Sequence, residues 1–364
     1  MANDTRKHYI DNLRWVTLMI LIPYHAAMAW NAWGEPNYVY FGSSRAISSV
    51  VVFFSPFFMP LLFLLAGVGT RYALQKRTVK EYLAERARKL LIPMLFGTLA
   101  LMPVMTWLAD RYNCGYGGGF FSHYAVFFTR FTDLTGADGG FSFGQFWFLL
   151  YLFVISAAGA AVLPLLEKAV KPRGVPLWAA AALGLPLPLL HELLSVGGKS
   201  LAEFFYLFLL GYFVFAEDET VARIERAAWP LFAAGAAASI LDTYLFLWRG
   251  GEFEALNTVC KYAAEWLMIL ALVGLSKRYL DFTGDIPRRM KSRAFLLYIY
   301  HFVWVAAFQY LLSAAGGSTP LLFFGTVLLS YSATFICCEI SLRSRVLCFL
   351  TAVKCIKYPK GEQT

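Results

Sequence analysis

The sequence predicts an all-α fold: a polytopic membrane helical bundle of about ten transmembrane helices with both termini cytoplasmic. Three observations predict it. The 364 residues are 59% hydrophobic and only 15% charged, whereas soluble domains are about a quarter charged. Apolar runs of about twenty residues recur along the whole length, each enough to cross a hydrocarbon core of about 30 Å. The basic residues are also unevenly placed. Twenty-six of the 32 Lys and Arg fall in alternate segments that include both ends, five fall in the loops between, and Lys261 lies within a span. By the positive-inside rule the basic segments face the cytoplasm. The net charge of +9 therefore reports topology and contact with anionic membrane lipid, and no nucleic-acid partner is expected.

The apolar stretches lie at 12–33, 47–72, 88–109, 143–166, 175–194, 201–216, 227–248, 256–276, 293–315 and 319–342. Arg6 and Lys7 before the first run, with Ala27, Met28 and Ala29 near its end, resemble a signal peptide. The run is too long for an h-region and nine more follow, so an uncleaved first helix is expected. A single domain is expected over 1–364, with its core at about 9–342 and a basic cytoplasmic tail at 343–364.

Between the spans, two segments carry information. At 110–142 the glycine clusters of "NCGYGGGFFSHY" and "TGADGGFSFG" predict an outer loop, a tether or a lid over an acceptor. At 71–93, "RYALQKRTVKEYLAERARKLLIP" predicts a partly amphipathic interfacial helix with Glu85 and Lys89 at helical spacing. Its basic groups suit anionic lipid or a phosphate ligand. Cys337, Cys338, Cys348 and Cys355 fall at the expected cytoplasmic end, where thiols stay reduced. A bridge between Cys114 and Cys260 is conceivable on the other side. No Cys/His spacing suggests a metal site.

The first helix holds the chemistry. Arg14 and His25 in "LRWVTLMILIPYHAAMAW" are eleven residues apart. That is about 20° beyond three full turns, so they share one face, about 16 Å apart along the axis. Pro23 removes a backbone donor and leaves the carbonyl of Met19 without its usual partner. An ionisable ring at this depth is a functional candidate by default. The plainer alternative is a neutral histidine hydrogen-bonded between helices.

An arginine, ten residues and a histidine on a first helix resembles the acyltransferase-3 family of integral membrane acyltransferases. Its members include O-acetyltransferases of bacterial surface polysaccharides and the succinyltransferase of periplasmic glucans. "YIDNLRWVTLMILIPYHAAM" carries most of the likeness. "PFFMPLLFLLAGVGTRYAL" with Gly67, "RARKLLIP" with Arg86 and Lys89, "FWFLLYLF" with Trp147 and Phe148, and "SRAFLLYIYHFVW" with Ser292, Tyr298 and His301 follow in order. One departure is Gln145, where many members have a histidine.

The resemblance implies an O-acyltransferase moving an acyl group, acetyl first and succinyl second, from cytosolic acyl-CoA to a hydroxyl of an extracytoplasmic glycan, glycolipid or related acceptor. The enzyme would be multi-pass in the inner or plasma membrane. Acetyl-CoA would be the donor substrate, with no metal. Arg14, Arg86, Arg88 and Lys89 would hold CoA phosphates, since arginine offers fixed charge and a planar fork of donors. The Arg14–His25 spacing is comparable to the reach of a pantetheine arm, placing the thioester beside His25. A neutral imidazole can take a proton from an attacking hydroxyl or attack the thioester itself; both routes are open. Tyr298 and His301, three residues apart on one helix face, would orient His25 or hold the acyl oxygen, or else form a structural pair.

Other polar groups have plainer readings. Lys261 and Glu265 at helical spacing predict an ion pair within one helix. Asp242 and Glu339 are expected to face loops or headgroups, and Trp147 to pack at a membrane edge. His8, His123 and His191 carry no functional signal. The alternative to an enzyme is a transporter or flippase of an anionic or glycosidic substrate.

Overall fold

The computed structural model describes residues 7–131 and 140–356. It is helical nearly throughout. In order come α1 (His8–Met19), α2 (Leu21–Met28), α3 (Arg45–Phe54), α4 (Phe58–Leu74), α5 (Val79–Phe96), α6 (Met102–Asn113), α7 (Phe120–Phe127) and α8 (Trp147–Ala169). Then come α9 (Leu177–Ala182), α10 (Leu187–His191), α11 (Leu201–Leu210), α12 (Asp218–Arg226), α13 (Ala228–Leu247), α14 (Glu254–Tyr279), α15 (Asp285–Ala315), α16 (Thr319–Arg343) and α17 (Arg345–Leu350). A two-residue hairpin pairs β1 (Ser195–Val196) with β2 (Lys199–Ser200) between α10 and α11.

Among the described residues, seven helical segments are long and apolar enough to cross a membrane: Arg45–Leu74, Val79–Asn113, Gly144–Ala169, α13, α14, α15 and α16. The other three stretches assigned from sequence take different forms. Two fold as the shorter apolar helices Leu177–His191 and Leu201–Phe215. The first is broken at Ile20 into α1 and α2.

That break follows from Pro23, which has no N–H for the carbonyl of Met19. The hydroxyl of Tyr331 on α16 donates to this carbonyl instead, at 2.5 Å. The chain at Ile20 turns more tightly, its N–H reaching Thr17 O at 3.2 Å. The helix therefore changes course one turn before His25 without leaving the Met19 carbonyl unsatisfied in an apolar setting.

Backbone contact between α4 and α11 sets the next layer. A Cβ on Gly67 would lie 1.9 Å from the carbonyl oxygen of Phe208, and one on Gly211 would lie 2.0 Å from that of Leu64. The two helices touch through reciprocal glycines, as small residues allow in bilayers. Gly211 also opens a π-helical turn, Gly211–Phe215. A second π turn, Gly97–Leu101, follows Pro93 at the end of α5, and Gly97 admits the ring of Phe146. α5 begins at Thr78 with a capping box closed by Glu81. The expected interfacial helix is thus the first half of one long helix, and Lys89 pairs with Glu85 at 2.5 Å.

Several expectations are corrected. Cys348 and Cys355 form a disulfide, while Cys114 and Cys260 are free thiols. α17 turns the chain back at Thr351 and brings these two cysteines, seven residues apart, together. Asp242 is buried and accepts from the Asn257 side chain, so it faces α14 and not headgroups. Glu339 pairs with Arg293 across α15 and α16. Within the 110–142 segment, α7 is an ordered helix, and "TGADGGFSFG" falls partly outside the described residues.

Candidate functional site

Two cavities open into the bundle. The first, of about 610 Å³, is lined by Arg14, Arg77, Arg86 and Lys89, with one acid, Glu85. Each cation is held in place. The Nη2 of Arg14 donates to the carbonyl of Leu65, and its Nη1 lies 3.6 Å from Asp11. Gly69 makes room for it, since a Cβ there would sit 2.9 Å from Nη2. Arg86 lies over the Tyr82 ring, 5.1 Å from its centroid, and donates to Thr70 Oγ1 at 3.4 Å. Thr70 and Tyr82 hydroxyls join at 2.8 Å. Arg77 and Lys89 flank Glu85 at 3.1 and 2.5 Å. The cavity carries a net excess of positive charge on side chains from α1, the turn between α4 and α5, and α5.

The second cavity, of about 340 Å³, is lined by His25, His301, Tyr24, Phe302 and Gln145 and by loop residues 35–38. His25 stacks on Phe302 at 3.9 Å and lies 5.2 Å from the His301 ring. No group among the described residues hydrogen-bonds the His25 ring, unlike the interhelical packing histidine considered from sequence. His301 is fully buried on α15. Its Nδ1 lies 2.8 Å from the carbonyl of Tyr298 and 3.2 Å from that of Leu297. Carbonyls only accept, so the hydrogen is assigned to Nδ1 and the lone pair to Nε2. That Nε2 is buried and makes no hydrogen bond among the described residues.

Among the described residues, Tyr298 alone lines both cavities. Its hydroxyl donates to the carbonyl of Gln145, and the Gln145 amide donates to the carbonyl of Ile299 at 2.9 Å. Gly144 sets up this clasp in a left-handed conformation, φ +48°, that only glycine adopts freely. An arginine pocket and a histidine pocket therefore share one lining residue, Tyr298. A family model described as an acyltransferase domain matches residues 7–339, nearly the whole chain.

The chain belongs to the acyltransferase-3 family. No curated protein and no solved structure matches it. Of the residues that the likeness to this family singled out, Arg14, Arg86 and Lys89 converge in the first cavity, and His25, His301 and Tyr298 in the second. Arg88 lines neither. It is two residues from Arg86, about 200° around the helix, and is exposed. Ser292 is exposed and bonds only within its own helix turn. Gly67 serves helix packing.

Other lining residues of this acyltransferase were missed. Arg77 lay within a recognised basic run, but nothing marked which of its members turn inward. His191 is not a bland loop residue: its Nδ1 lies 2.6 Å from Glu203, and both line the histidine cavity. His123 is buried against Asp110 at 2.8 Å. Trp147 is buried in the same cavity wall. Lys261 makes no ion pair with Glu265 among the described residues; its ammonium lies over the Tyr262 ring. Helical spacing permits an i,i+4 pair but does not require it when an aromatic face competes. Among the described residues, no group of three or more His, Cys, Asp or Glu side chains is placed to hold a metal.

Proposed function

We propose that this acyltransferase moves an acyl group, acetyl first, from cytosolic acyl-CoA to a hydroxyl of an extracytoplasmic glycan or glycolipid in the plasma membrane. The observation that carries the reading is the pair of cavities that share Tyr298, with fixed cations in one and, in the other, an imidazole that no described residue hydrogen-bonds. CoA phosphates need several cations whose geometry is set before binding, and Arg14, Arg77, Arg86 and Lys89 supply them. The arm and thioester would extend past Tyr298 toward His25. The acceptor would enter from the opposite side, beside loop residues 35–38.

In this reading His25 acts as general base. It takes the proton of the acceptor hydroxyl as the oxygen attacks the thioester carbonyl. The tetrahedral intermediate collapses with loss of the CoA thiolate, which takes that proton from His25. His301, locked in its Nδ1–H form, offers an acceptor nitrogen to a His25 N–H and so favours one tautomer of the base. The buried, water-poor setting strengthens each of these interactions.

The test uses purified protein in lipid nanodiscs with labelled acetyl-CoA. Acetyl-CoA should raise the melting temperature, as a ligand selective for the folded state must, and label should move to a hydroxyl acceptor. Absence of both stabilisation and transfer would return the chain to the transporter or flippase alternative.

A further inference from the structure

Part of the wall of the arginine cavity comes from far along the chain. Ala352 and Val353 line it together with Arg14, Arg77, Arg86 and Lys89. They form the turn that ends α17, beyond the residues 7–339 matched by the family model. The Ala352 N–H donates to the carbonyl of Phe349 at 3.1 Å, and the Val353 N–H to that of Cys348 at 3.0 Å. This is a Schellman end, with Ala352 at φ +52° where glycine is usual. Both amides are committed to α17, and neither side chain has a polar atom. Lys354 is exposed and lies outside the lining. The turn therefore offers no donor to an anion in the cavity; it covers the space beside the cations.

A covalent tie bridges this turn. Cys348 on α17 is buried, Cys355 is half-buried, and the two form a disulfide. The Sγ of Cys348 lies 3.3 Å from the carbonyl of Ser341, and that of Cys355 lies 3.7 Å from the carbonyl of Ser344. Each sulfur, once reduced, would have an acceptor for its S–H at hand, so the fold houses the dithiol as well. The nearby Arg343, Arg345 and Lys354 place this end on the cytoplasmic side by the positive-inside rule. Disulfides on that side are usually transient and redox-sensing. Without the tie, a left-handed alanine disfavours the turn, and Ile356 N–H to the Leu342 carbonyl is the one backbone hydrogen bond of residues 354–356 among the described residues.

We infer that Cys348 and Cys355 form a reversible redox modification site, whose disulfide pins residues 351–355 over the arginine cavity and restricts entry of its anionic ligand. Reduction frees the turn and opens the cavity. The inference rests on the acyl-CoA reading for the identity of that ligand. A glutathione-type disulfide is the oxidant. The thiolate of Cys355, the more exposed of the two, attacks one of its sulfurs and expels one glutathione thiolate, leaving a mixed disulfide. The Cys348 thiolate then attacks the Cys355 sulfur, and the second glutathione thiolate leaves. Two protein thiols are oxidised, one glutathione disulfide is reduced, and the two thiol protons end on the two glutathione molecules.

The experiment compares nanodisc protein equilibrated with reduced or with oxidised glutathione. Alkylation and mass spectrometry read the state of the pair, and calorimetric titration with CoA reads the cavity. Oxidised glutathione should form the Cys348–Cys355 bond and raise the Kd for CoA about fivefold or more, the lower end of usual coupling between sites. The KM for acetyl-CoA should rise likewise with kcat unchanged, because the turn does not line the histidine cavity. Cys355→Ser should bind CoA as reduced wild type does after either treatment, with Cys355→Ala in its place if serine destabilises the fold. Cys114→Ser, at an exposed free thiol, should keep the response. Failure of the bond to form, equal or tighter CoA binding by the oxidised form, or a response that survives in Cys355→Ser would overturn the site. CoA bound by neither form would sink the acyl-CoA reading instead. Amide hydrogen exchange over residues 349–356 then decides the pinning by itself: faster exchange on reduction upholds it, and equal exchange removes it.

Discussion

The imidazole rings of His25 on α2 and His301 on α15 lie 5.2 Å apart, centroid to centroid, in one cavity. The two carbonyls that fix His301 Nδ1 leave its Nε2 as an acceptor beside the proposed base. His301 is therefore a positioning residue. His301→Leu should lower kcat by about 100-fold, within the range for disturbed acid–base groups, with an unchanged Kd for acetyl-CoA. His301→Gln should recover part of that loss through its amide oxygen. Equal loss in both variants, with weakened acetyl-CoA binding, would mark His301 as packing.

His25 is held by stacking on Phe302, with no hydrogen bond to its ring among the described residues. His25→Ala should abolish transfer and leave CoA binding largely intact, because the proposed phosphate site lies about 16 Å away along the helix. His25→Gln should fail as well, since an amide has no basic nitrogen. Near wild-type turnover by folded His25→Gln, measured with labelled acetyl-CoA, would remove the catalytic assignment.

Arg86 and Arg88 occupy different faces of α5. Arg86→Ala and Arg14→Ala should each raise the KM for acetyl-CoA about tenfold, as expected for one lost charge-assisted contact. Arg88→Ala should change it less than twofold. Titration of the three variants with CoA checks this, and an Arg88 effect as large as that of Arg86 would place the phosphates elsewhere.

Tyr331→Phe leaves the Met19 carbonyl without the donor that replaces Pro23's missing N–H. An unsatisfied buried acceptor costs about 1–3 kcal/mol, so the melting temperature should fall. Activity should fall further than stability alone explains, because Met19 adjoins the turn that aims α2 and His25. A melt and a kcat both equal to wild type would show that the turn needs no such support.

Gly67→Ala forces a methyl group into the Phe208 carbonyl. Neither side is a flexible side chain, so α4 and α11 must separate. Overpacking of this kind costs about 1–3 kcal/mol or more, and α4 also carries the Leu65 carbonyl that holds Arg14. The expected outcome is a lower melting temperature together with weaker acetyl-CoA binding. Gly325→Ala serves as control, since a Cβ there meets only ordinary contact at 3.5 Å.

The sequence by itself determined the helical membrane class and the family, and it singled out Arg14 and His25. These depend on properties written locally. Lipid demands long apolar runs with internally satisfied backbone, and a charged or titratable group within such a run stands out locally. It also showed that Pro23 would free the Met19 carbonyl, but not that Tyr331, 312 residues away, would answer it.

Only the tertiary structure decided which members of the basic run face inward, since Arg77 and Arg86 do and Arg88 does not. It alone joined Glu203 and His191 to Glu265 across α10, α11 and α14, set Lys261 over Tyr262 in place of the expected ion pair, and placed Tyr298 between two cavities. Such pairings depend on helix rotation and crossing, which backbone contacts like Gly67 on Phe208 impose at long sequence separation. A linear pattern fixes which face of a helix is polar, but the partner opposite that face comes from packing alone.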